Sequence, residues 1–141
     1  MAIVRLRPDE VGKQWDAMKR AIKATVPEYV RESEARMTSI FTMIMGGLMD
    51  CWIIRNDQKL FAMLMTTFTE DPAGDKSLCV YSLFGYETLT KNVWEDIGVE
   101  LIDWARQNGC MTITAYTTSE SMVKLLRKYN SVEQTFVTIF L

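Results

Sequence analysis

The chain has 141 residues, of which 48% are hydrophobic and 24% are charged, with a formal net charge of -2. These values fit one globular domain with its own hydrophobic core, and they argue against the basic face of a nucleic-acid-binding domain. The chain has no histidine, which excludes Ser-His-Asp and Cys-His catalysis and the usual zinc sites, so we expect no metal site.

The first half predicts two helices and four strands. Residues 2–6 read as a short strand, and Pro8 opens a helix that Pro27 ends. Ser33 is a plausible cap for a second helix over about 33–45, which a glycine pair at 46–47 ends. Three strands follow at 51–54, 60–69 and 78–84, separated by turn-forming residues at 56–57 and 71–75.

The second half predicts a long helix, two further strands and a short helix. Asn92 with Glu95 forms a capping pattern for the long helix, which ends at residues 108–109. A strand over 111–116, a short helix capped by Ser119 and a final strand over 132–141 complete the chain. The crossover through the long helix predicts parallel pairing, and the three consecutive strands predict an antiparallel meander. The sequence therefore predicts a single α/β domain over 1–141, with a mixed central β-sheet and helices on both faces.

The order of these elements is the basis for a functional expectation. Residues 103–110 read DWARQNGC and are followed by the strand TITAY, a helix and a last strand. This order resembles that of the GNAT N-acetyltransferase superfamily over nearly the whole chain, and most specifically over about the last fifty residues. The resemblance implies a GNAT-like fold and an acetyl-CoA-dependent N-acyltransferase of unknown acceptor.

The resemblance also locates a cofactor loop. GNAT proteins hold the diphosphate of acetyl-CoA at the N-terminus of the helix after the fourth strand, on a loop of the pattern Arg/Gln-x-x-Gly-x-Gly/Ala. Here that loop reads GYETLTKN over 85–92, with one glycine and no arginine, and Glu87 adds charge that repels phosphate. The loop is therefore degenerate for acetyl-CoA. The candidate cofactor-binding residues are Leu83, Phe84, Gly85, Thr88, Thr90, Lys91 and Asn92.

The catalytic acid of the family is not at its expected position. Many GNAT proteins use a tyrosine on the following helix to protonate the departing thiolate, but alignment of the helix motif puts Leu126 there. Tyr129, three residues on, and Tyr116, at the end of the fifth strand, are the remaining candidate acids. Glu70, at the end of the third strand, is the candidate base. The alternatives are a core role for Tyr129 and a solvated loop charge for Glu70.

Two functions of different classes follow, and the sequence leaves open whether the protein is an enzyme. One is a divergent acetyltransferase, and the other is an inactive GNAT-like protein that acts by protein–protein contacts. Methionines concentrated in the second helix and the next two strands form either a malleable surface for a protein partner or an irregular core. They are Met37, Met43, Met45, Met49, Met63 and Met65.

Location and source are also expectations. No apolar run is long enough to span a bilayer, and the N-terminus carries Arg5 and Arg7 where a signal peptide is apolar. We therefore expect a cytoplasmic protein with no membrane or nucleic-acid partner. The chain is similar in style to small GNAT-like proteins of tailed bacteriophages, which implies a phage protein in the host cytoplasm or the virion. The oligomeric state stays open.

Overall fold

The computed structural model describes residues 1–25, 33–117 and 120–141. The predicted helix end at Pro27 and the predicted cap at Ser119 lie outside these ranges. In chain order the elements are β1 (Ala2–Arg5), α1 (Pro8–Lys13), α2 (Trp15–Thr25), α3 (Glu34–Met45), β2 (Met49–Arg55), β3 (Leu60–Glu70), β4 (Lys76–Gly85), α4 (Lys91–Gln107), β5 (Thr112–Ala115) and α5 (Glu120–Leu126). Among the described residues, no helix has the length and apolar character needed to cross a membrane.

The five strands form one mixed sheet in the spatial order β1-β2-β3-β4-β5. The first four strands pair antiparallel, and β4 pairs parallel with β5. The helix α4 is the crossover that makes the parallel pair possible. The predicted meander and the predicted parallel pair are both confirmed.

Helices cover both faces of the sheet, as predicted. Side chains alternate along β3, so that Met63 and Met65 pack with α1, α2 and α3, whereas Leu64 packs with α4 on the opposite face. This alternation divides the core into two clusters, one on each side of the sheet. The α/β fold class predicted from the sequence is confirmed.

Local sequence signals explain several element ends. The Ser33 hydroxyl accepts a hydrogen bond from the Arg36 amide at 3.1 Å and caps α3. Gly47 follows α3 with a φ of 75°, a left-handed conformation that favours glycine. In the β2–β3 turn, the side-chain oxygen of Asn56 accepts bonds from two amides, at 2.8 Å each.

Two predicted helix boundaries were wrong. The predicted first helix is divided into α1 and α2, which meet at Gln14, where the backbone leaves helical geometry and its amide bonds back to Val11. The cap of α4 is Thr90 rather than Asn92. Thr90 has extended backbone geometry, and its hydroxyl accepts from the Val93 amide at 3.4 Å. Asn92 lies inside the first turn, where its own backbone is already helical.

The predicted final strand was also wrong, because residues 132–141 form no strand. Their β-forming side chains lie exposed, with no strand ladder beside them in the part of the chain that the structure describes. Strand propensity reflects packing on a pleated surface more than an intrinsic backbone preference, so an unpaired segment does not become a strand.

Most of the clustered methionines belong to the core. Met37, Met49, Met63 and Met65 are buried, Met43 is half-buried, and Met45 is exposed. The structure thus realises the core alternative for four of these six residues. Two of the cysteines are buried as well, and burial raises the pKa of the Cys51 thiol to about 12.

Candidate functional site

The sheet opens between its two parallel strands. β5 pairs with β4 only from Ser77, opposite Thr112, to Val80, opposite Ala115. Beyond Val80, β4 continues through residues 81–85 and pairs with β3 alone. Within the described residues, one backbone edge of residues 81–85 therefore has no strand paired with it. These residues form the end of β4 that leads to α4.

A bulge in β4 lies at the point where the two strands separate. Met65 pairs with Ser82 and Thr66 pairs with Val80, so that Tyr81 is the extra residue. A bulge bends its strand and increases the local twist. It accounts physically for the divergence of β4 from β5 after Val80.

An aromatic wall lines the open part of β4 on the side of α1–α3. Tyr81 and Phe84 are half-buried against that core cluster, and the Tyr86 ring makes an edge-to-face contact with Phe84 at 4.8 Å between centroids. Burial raises the pKa of Tyr81, and the positive charge of Arg36 acts in the opposite direction. Tyr81 is therefore a protonated hydroxyl at neutral pH.

The loop between β4 and α4 is held against β3. The amides of Tyr86 and Glu87 both donate to the carbonyl of Phe61, at 2.8 and 3.3 Å. Leu89 packs against the core cluster on the α4 side. Because those two amides are already occupied, they are not presented to a phosphate in the way that an open anion-binding loop presents them.

The charges of this loop are paired as well. Lys59 Nζ lies 3.3 Å from a carboxylate oxygen of Glu87, and Lys91 Nζ lies 3.7 Å from Glu95. Each lysine near the N-terminus of α4 thus has a carboxylate beside it. All four side chains are exposed, and such ion pairs are weak and exchangeable.

The structure brings the predicted cofactor-binding residues together where β4 ends and α4 begins. Leu83 packs on the α4 side of the sheet, Phe84 packs on the other side, and Gly85 ends the strand. Thr90 is occupied as the cap of α4. Gly85, Thr88, Thr90, Lys91 and Asn92 are exposed, whereas Leu83 and Phe84 are half-buried.

The two candidate acids lie in different surroundings. Tyr116 is the residue immediately after the last β4–β5 pair, and its exposed ring contacts Phe136 at 5.3 Å between centroids. Tyr129 lies against α4, so closely that a Cβ built on Gly98 falls 2.5 Å from its hydroxyl. Of the two, Tyr116 is the one that the strand pairing places beside the opening.

The candidate base is not brought to the opening. Glu70 pairs with Lys76 at the start of β4, whereas the opening begins at Tyr81 and extends to Gly85. Along β4, Lys76 is five residues from Tyr81 and nine from Gly85, distances of about 17 and 30 Å. The structure therefore does not combine Glu70 with the predicted cofactor-binding residues.

Tyr81 was not among the site residues predicted from the sequence. The position of a bulge depends on the register between two strands, which the sequence of one strand does not contain. The signal in the sequence was Ser82, which interrupts the mainly apolar run 78–84, and the structure buries it.

Comparison with known proteins identifies the architecture. No family model and no curated protein matches the chain. Solved structures do match at low identity. A ribosomal-protein-alanine N-acetyltransferase from Brucella melitensis biovar Abortus 2308 has a TM-score of 0.67 and 12% identity, with 99% of this chain and 100% of that chain covered.

Two further structures are similar to this chain. A predicted acetyltransferase from Clostridium acetobutylicum, solved with acetyl-CoA, has a TM-score of 0.71 and 11% identity, covering 99% of this chain and 95% of the other. An aminoglycoside acetyltransferase from an uncultured soil sample, solved with sisomicin, has a TM-score of 0.71 and 11% identity over 99% and 94%. The expected GNAT acetyltransferase fold is therefore confirmed.

Proposed function

We propose that this chain, which has the GNAT acetyltransferase fold, is an acyltransferase that takes an acyl-CoA as its donor. The observation that carries the proposal is the open edge of β4 over residues 81–85. An unpaired strand edge binds an extended amide chain by main-chain hydrogen bonds. The pantetheine arm of an acyl-CoA is a chain of this kind. A similar structure solved with acetyl-CoA supports this choice of donor.

Two tyrosines at the opening have the chemistry that the reaction needs. An acyl-CoA supplies an activated thioester, and attack by an amine acceptor releases a thiolate. In this proposal the Tyr116 hydroxyl donates a proton to the leaving sulfur, which departs as the thiol. The proton that the amine loses as the amide forms passes through water back to the Tyr116 oxygen, so the acid is restored. Tyr81, at the bulge, is a positioning residue that hydrogen-bonds the acyl end of the donor.

The fit to the rest of the donor is unequal. The open edge of β4 suits the pantetheine arm, but the loop after β4 suits a diphosphate poorly. The amides of residues 86 and 87 already donate hydrogen bonds to the Phe61 carbonyl, and the carboxylates of Glu87 and Glu95 lie close by. We therefore assign most of the binding free energy to the arm. Lys91 is the side chain available to the diphosphate once its weak pair with Glu95 opens.

Thermal unfolding tests donor binding directly. A ligand that binds only the folded state raises its stability by about 2.7 kcal/mol at a hundredfold excess over Kd. We expect acetyl-CoA and S-acetylpantetheine to raise the melting temperature, and ADP, which has only the diphosphate and nucleoside, to have little effect. No shift with either acyl compound at millimolar concentration would refute the proposal.

Catalysis is tested by release of the free thiol in the presence of a panel of amines. We expect Tyr116→Phe to lower kcat at least tenfold while the acetyl-CoA-induced shift in melting temperature stays unchanged. Tyr86→Phe is the matched control, because that exposed tyrosine lies on the loop and has no assigned proton transfer. Equal rates for the two variants would remove Tyr116 from the mechanism.

A second candidate function is a binding protein that has the fold without the catalysis. The occupied amides and paired lysines of the loop favour it, because together they oppose a diphosphate. Such a protein would act by binding another protein. The resemblance to phage proteins suggests that it would do so in association with a virion. A folded protein that no acyl compound stabilises is the result that would select this function.

A further inference from the structure

Arg36 lies at the end of the sheet where β4 opens. The short turn 46–48 joins α3 to β2, and α3 packs against β2, so the helix runs antiparallel to that strand. Arg36 lies nine residues before Met45, the last residue of α3, which is ~14 Å along the helix axis and matches about four residues of strand. Four residues into β2 stands Ile53, which the pairing through β3 aligns with Phe84. Arg36 is therefore at the level of the open stretch of β4.

The side chain of Arg36 borders the buried face of α3 and acts on the aromatic wall of the opening. Met37, Ile40 and Ile44 are the buried residues of α3, and Arg36 lies one turn before Ile40. Tyr81 packs from β4 against the same core cluster. Burial raises the pKa of Tyr81, and the positive charge of Arg36 opposes that rise. The register and the electrostatics thus agree that a guanidinium lies near the Tyr81 hydroxyl.

The charge of Arg36 is not neutralised by a carboxylate of the described chain. The Arg36 side chain is exposed and forms no ion pair with any described residue. Glu34, the acid nearest to it in the described sequence, is held by Lys19 and Lys23 at 2.6 and 3.0 Å. On the α4 side of the opening, by contrast, the two lysines each have a carboxylate beside them. Arg36 therefore offers a positive charge to an anion that enters from the α1–α3 side.

The chemistry of this position favours a carboxylate. A guanidinium donates two parallel hydrogen bonds to the two oxygens of a carboxylate. Because Tyr81 holds the acyl end of the donor in the proposed function, an anion on Arg36 would lie near the carbon that the amine attacks. We propose that the acceptor is a free amino acid and that Arg36 binds its carboxylate. This inference rests on the proposed acyltransferase function and names the substrate class of the same site.

The arrangement accounts for how the acceptor is oriented. In an amino acid one carbon separates the amino group from the carboxylate, so fixing the carboxylate on Arg36 keeps the nitrogen close to the acyl carbon. Transfer forms a bond between that nitrogen and the acyl carbon and breaks the carbon–sulfur bond of the thioester, with the protons moving as described for Tyr116. The product is an N-acyl amino acid. An amine with several positive charges is disfavoured, because Arg36 repels it and Glu70 lies away from the opening.

Matched acceptors measure the contribution of the carboxylate. Thiol release from acetyl-CoA is followed with each common amino acid and with the amine that remains when its carboxylate is removed, for example L-phenylalanine and phenethylamine. We expect the kcat/KM of the best amino acid to exceed that of its amine at least tenfold. We expect Arg36→Gln to lower this ratio at least tenfold, mainly through a higher KM for the amino acid. The basicity of the two amines is the same with both enzymes, so the change in the ratio reports the lost guanidinium alone.

Two further variants separate binding of the carboxylate from a general effect of charge. Arg36→Lys keeps the charge without the paired donors, and it should retain part of the preference. Arg20→Gln is the matched control, because it removes the same charge from an exposed position on α2. Arg20 is two residues from the buried Met18 and Ile22, which places it on the outer face of that helix. The control should leave the acceptor ratio unchanged.

The ring NMR signals of Tyr81 test the placement of Arg36 without any activity measurement. They should shift in the Arg36→Gln variant and not in the Arg20→Gln variant, and a Tyr81 ring that ignores both changes would overturn the inference. Thiol release with the same acceptor ratio in wild type and Arg36→Gln would overturn it too, while the proposed function would stand. Thiol release with no amine or amino acid at all would overturn the proposed function and this inference together.

Discussion

The middle and the outer part of the sheet differ sharply in burial. β3 has a strand on each side, and its residues 62–66 are all buried. β5 has one ladder of four pairs, and all four of its residues are exposed. Both strands have β-forming sequences, so the difference in burial comes from their positions in the sheet. Side chains are buried where a strand has a paired strand on each side and helices packed on both faces of the sheet.

The opening in the sheet lies at the boundary between these two regions. β4 shares its first half with β5 and then continues with β3 alone. Binding regions are generally drawn from the less stable part of a fold, because they must admit a ligand. We therefore expect substitutions in β2 and β3 to affect the free energy of unfolding strongly, and equal substitutions around β5 to affect it little.

The largest contrast is expected from one substitution made in both regions. Met65→Ala removes a fully buried side chain of β3 and should cost about 2–5 kcal/mol of unfolding free energy, because a cavity remains. Met111→Ala, just before β5 and 73% exposed, should change it by less than about 0.5 kcal/mol. Urea unfolding of both variants measures the difference. Equal losses would contradict the division of the sheet into a covered and an uncovered region.

A buried hydrogen bond should give the next largest effect. The indole N–H of Trp52 donates to the Thr66 hydroxyl at 3.0 Å in the core. Thr66→Val keeps the shape and leaves this donor unpaired, which should cost about 1–3 kcal/mol. The matched change is Thr112→Val on β5, where the lost hydroxyl contact is solvent-exposed and the cost should stay below about 0.5 kcal/mol. A Thr66 variant as stable as the Thr112 variant would show that this bond does not stabilise the core.

A smaller effect is expected where Tyr129 meets α4. A Cβ at Gly98 falls 2.5 Å from the Tyr129 hydroxyl, so Gly98→Ala should displace the ring. The ring is partly exposed and free to swing outward, while alanine improves helix propensity by about 1 kcal/mol, so the unfolding free energy should change little. Ring NMR signals of Tyr129 should shift.

Gly12→Ala in α1 is the control for that substitution, because its Cβ would meet Met45 at an ordinary distance of 3.6 Å. It should stabilise the protein and leave the Tyr129 signals unchanged. A severe loss of stability in the Gly98 variant would show that the outer region is as tightly packed as the inner one.

The smallest effect concerns the surface of the covered region. Hydrogen bonds from Lys19 and Lys23 of α2 lower the pKa of Glu34, at the start of α3, to about 2. Because the folded value lies below the ordinary value of 4.5, this contribution is fully present above that pH and is lost as the pH falls towards 2. Comparison of the melting temperatures of wild type and Glu34→Gln should show a small advantage for wild type at pH 7. The advantage should shrink in acid and in high salt.

Features of the site that depend on neighbouring residues in the sequence could be predicted, and features that depend on contacts between distant residues could not. The loop from Gly85 to Asn92 could be located in advance, because it lies between two strong local patterns. The bulge at Tyr81 and the separation of Glu70 from the opening could not, because both depend on how β3 and β4 are aligned. The cap of α4 was misplaced from Thr90 to Asn92, since both residue types cap helices and the backbone decides between them.

The sequence by itself determined the mixed sheet, the two covered faces and the order of the elements, except for the division of the first helix and the predicted final strand. Apolar periodicity and turn residues act over a few neighbouring residues, and they are visible in the chain as written. Only the tertiary structure decided that the methionines of β3 are core, that the sheet opens after Val80, and that residues 132–141 stay outside it. These outcomes depend on which strands find a ladder partner, and strand pairing is a long-range property that no local pattern encodes.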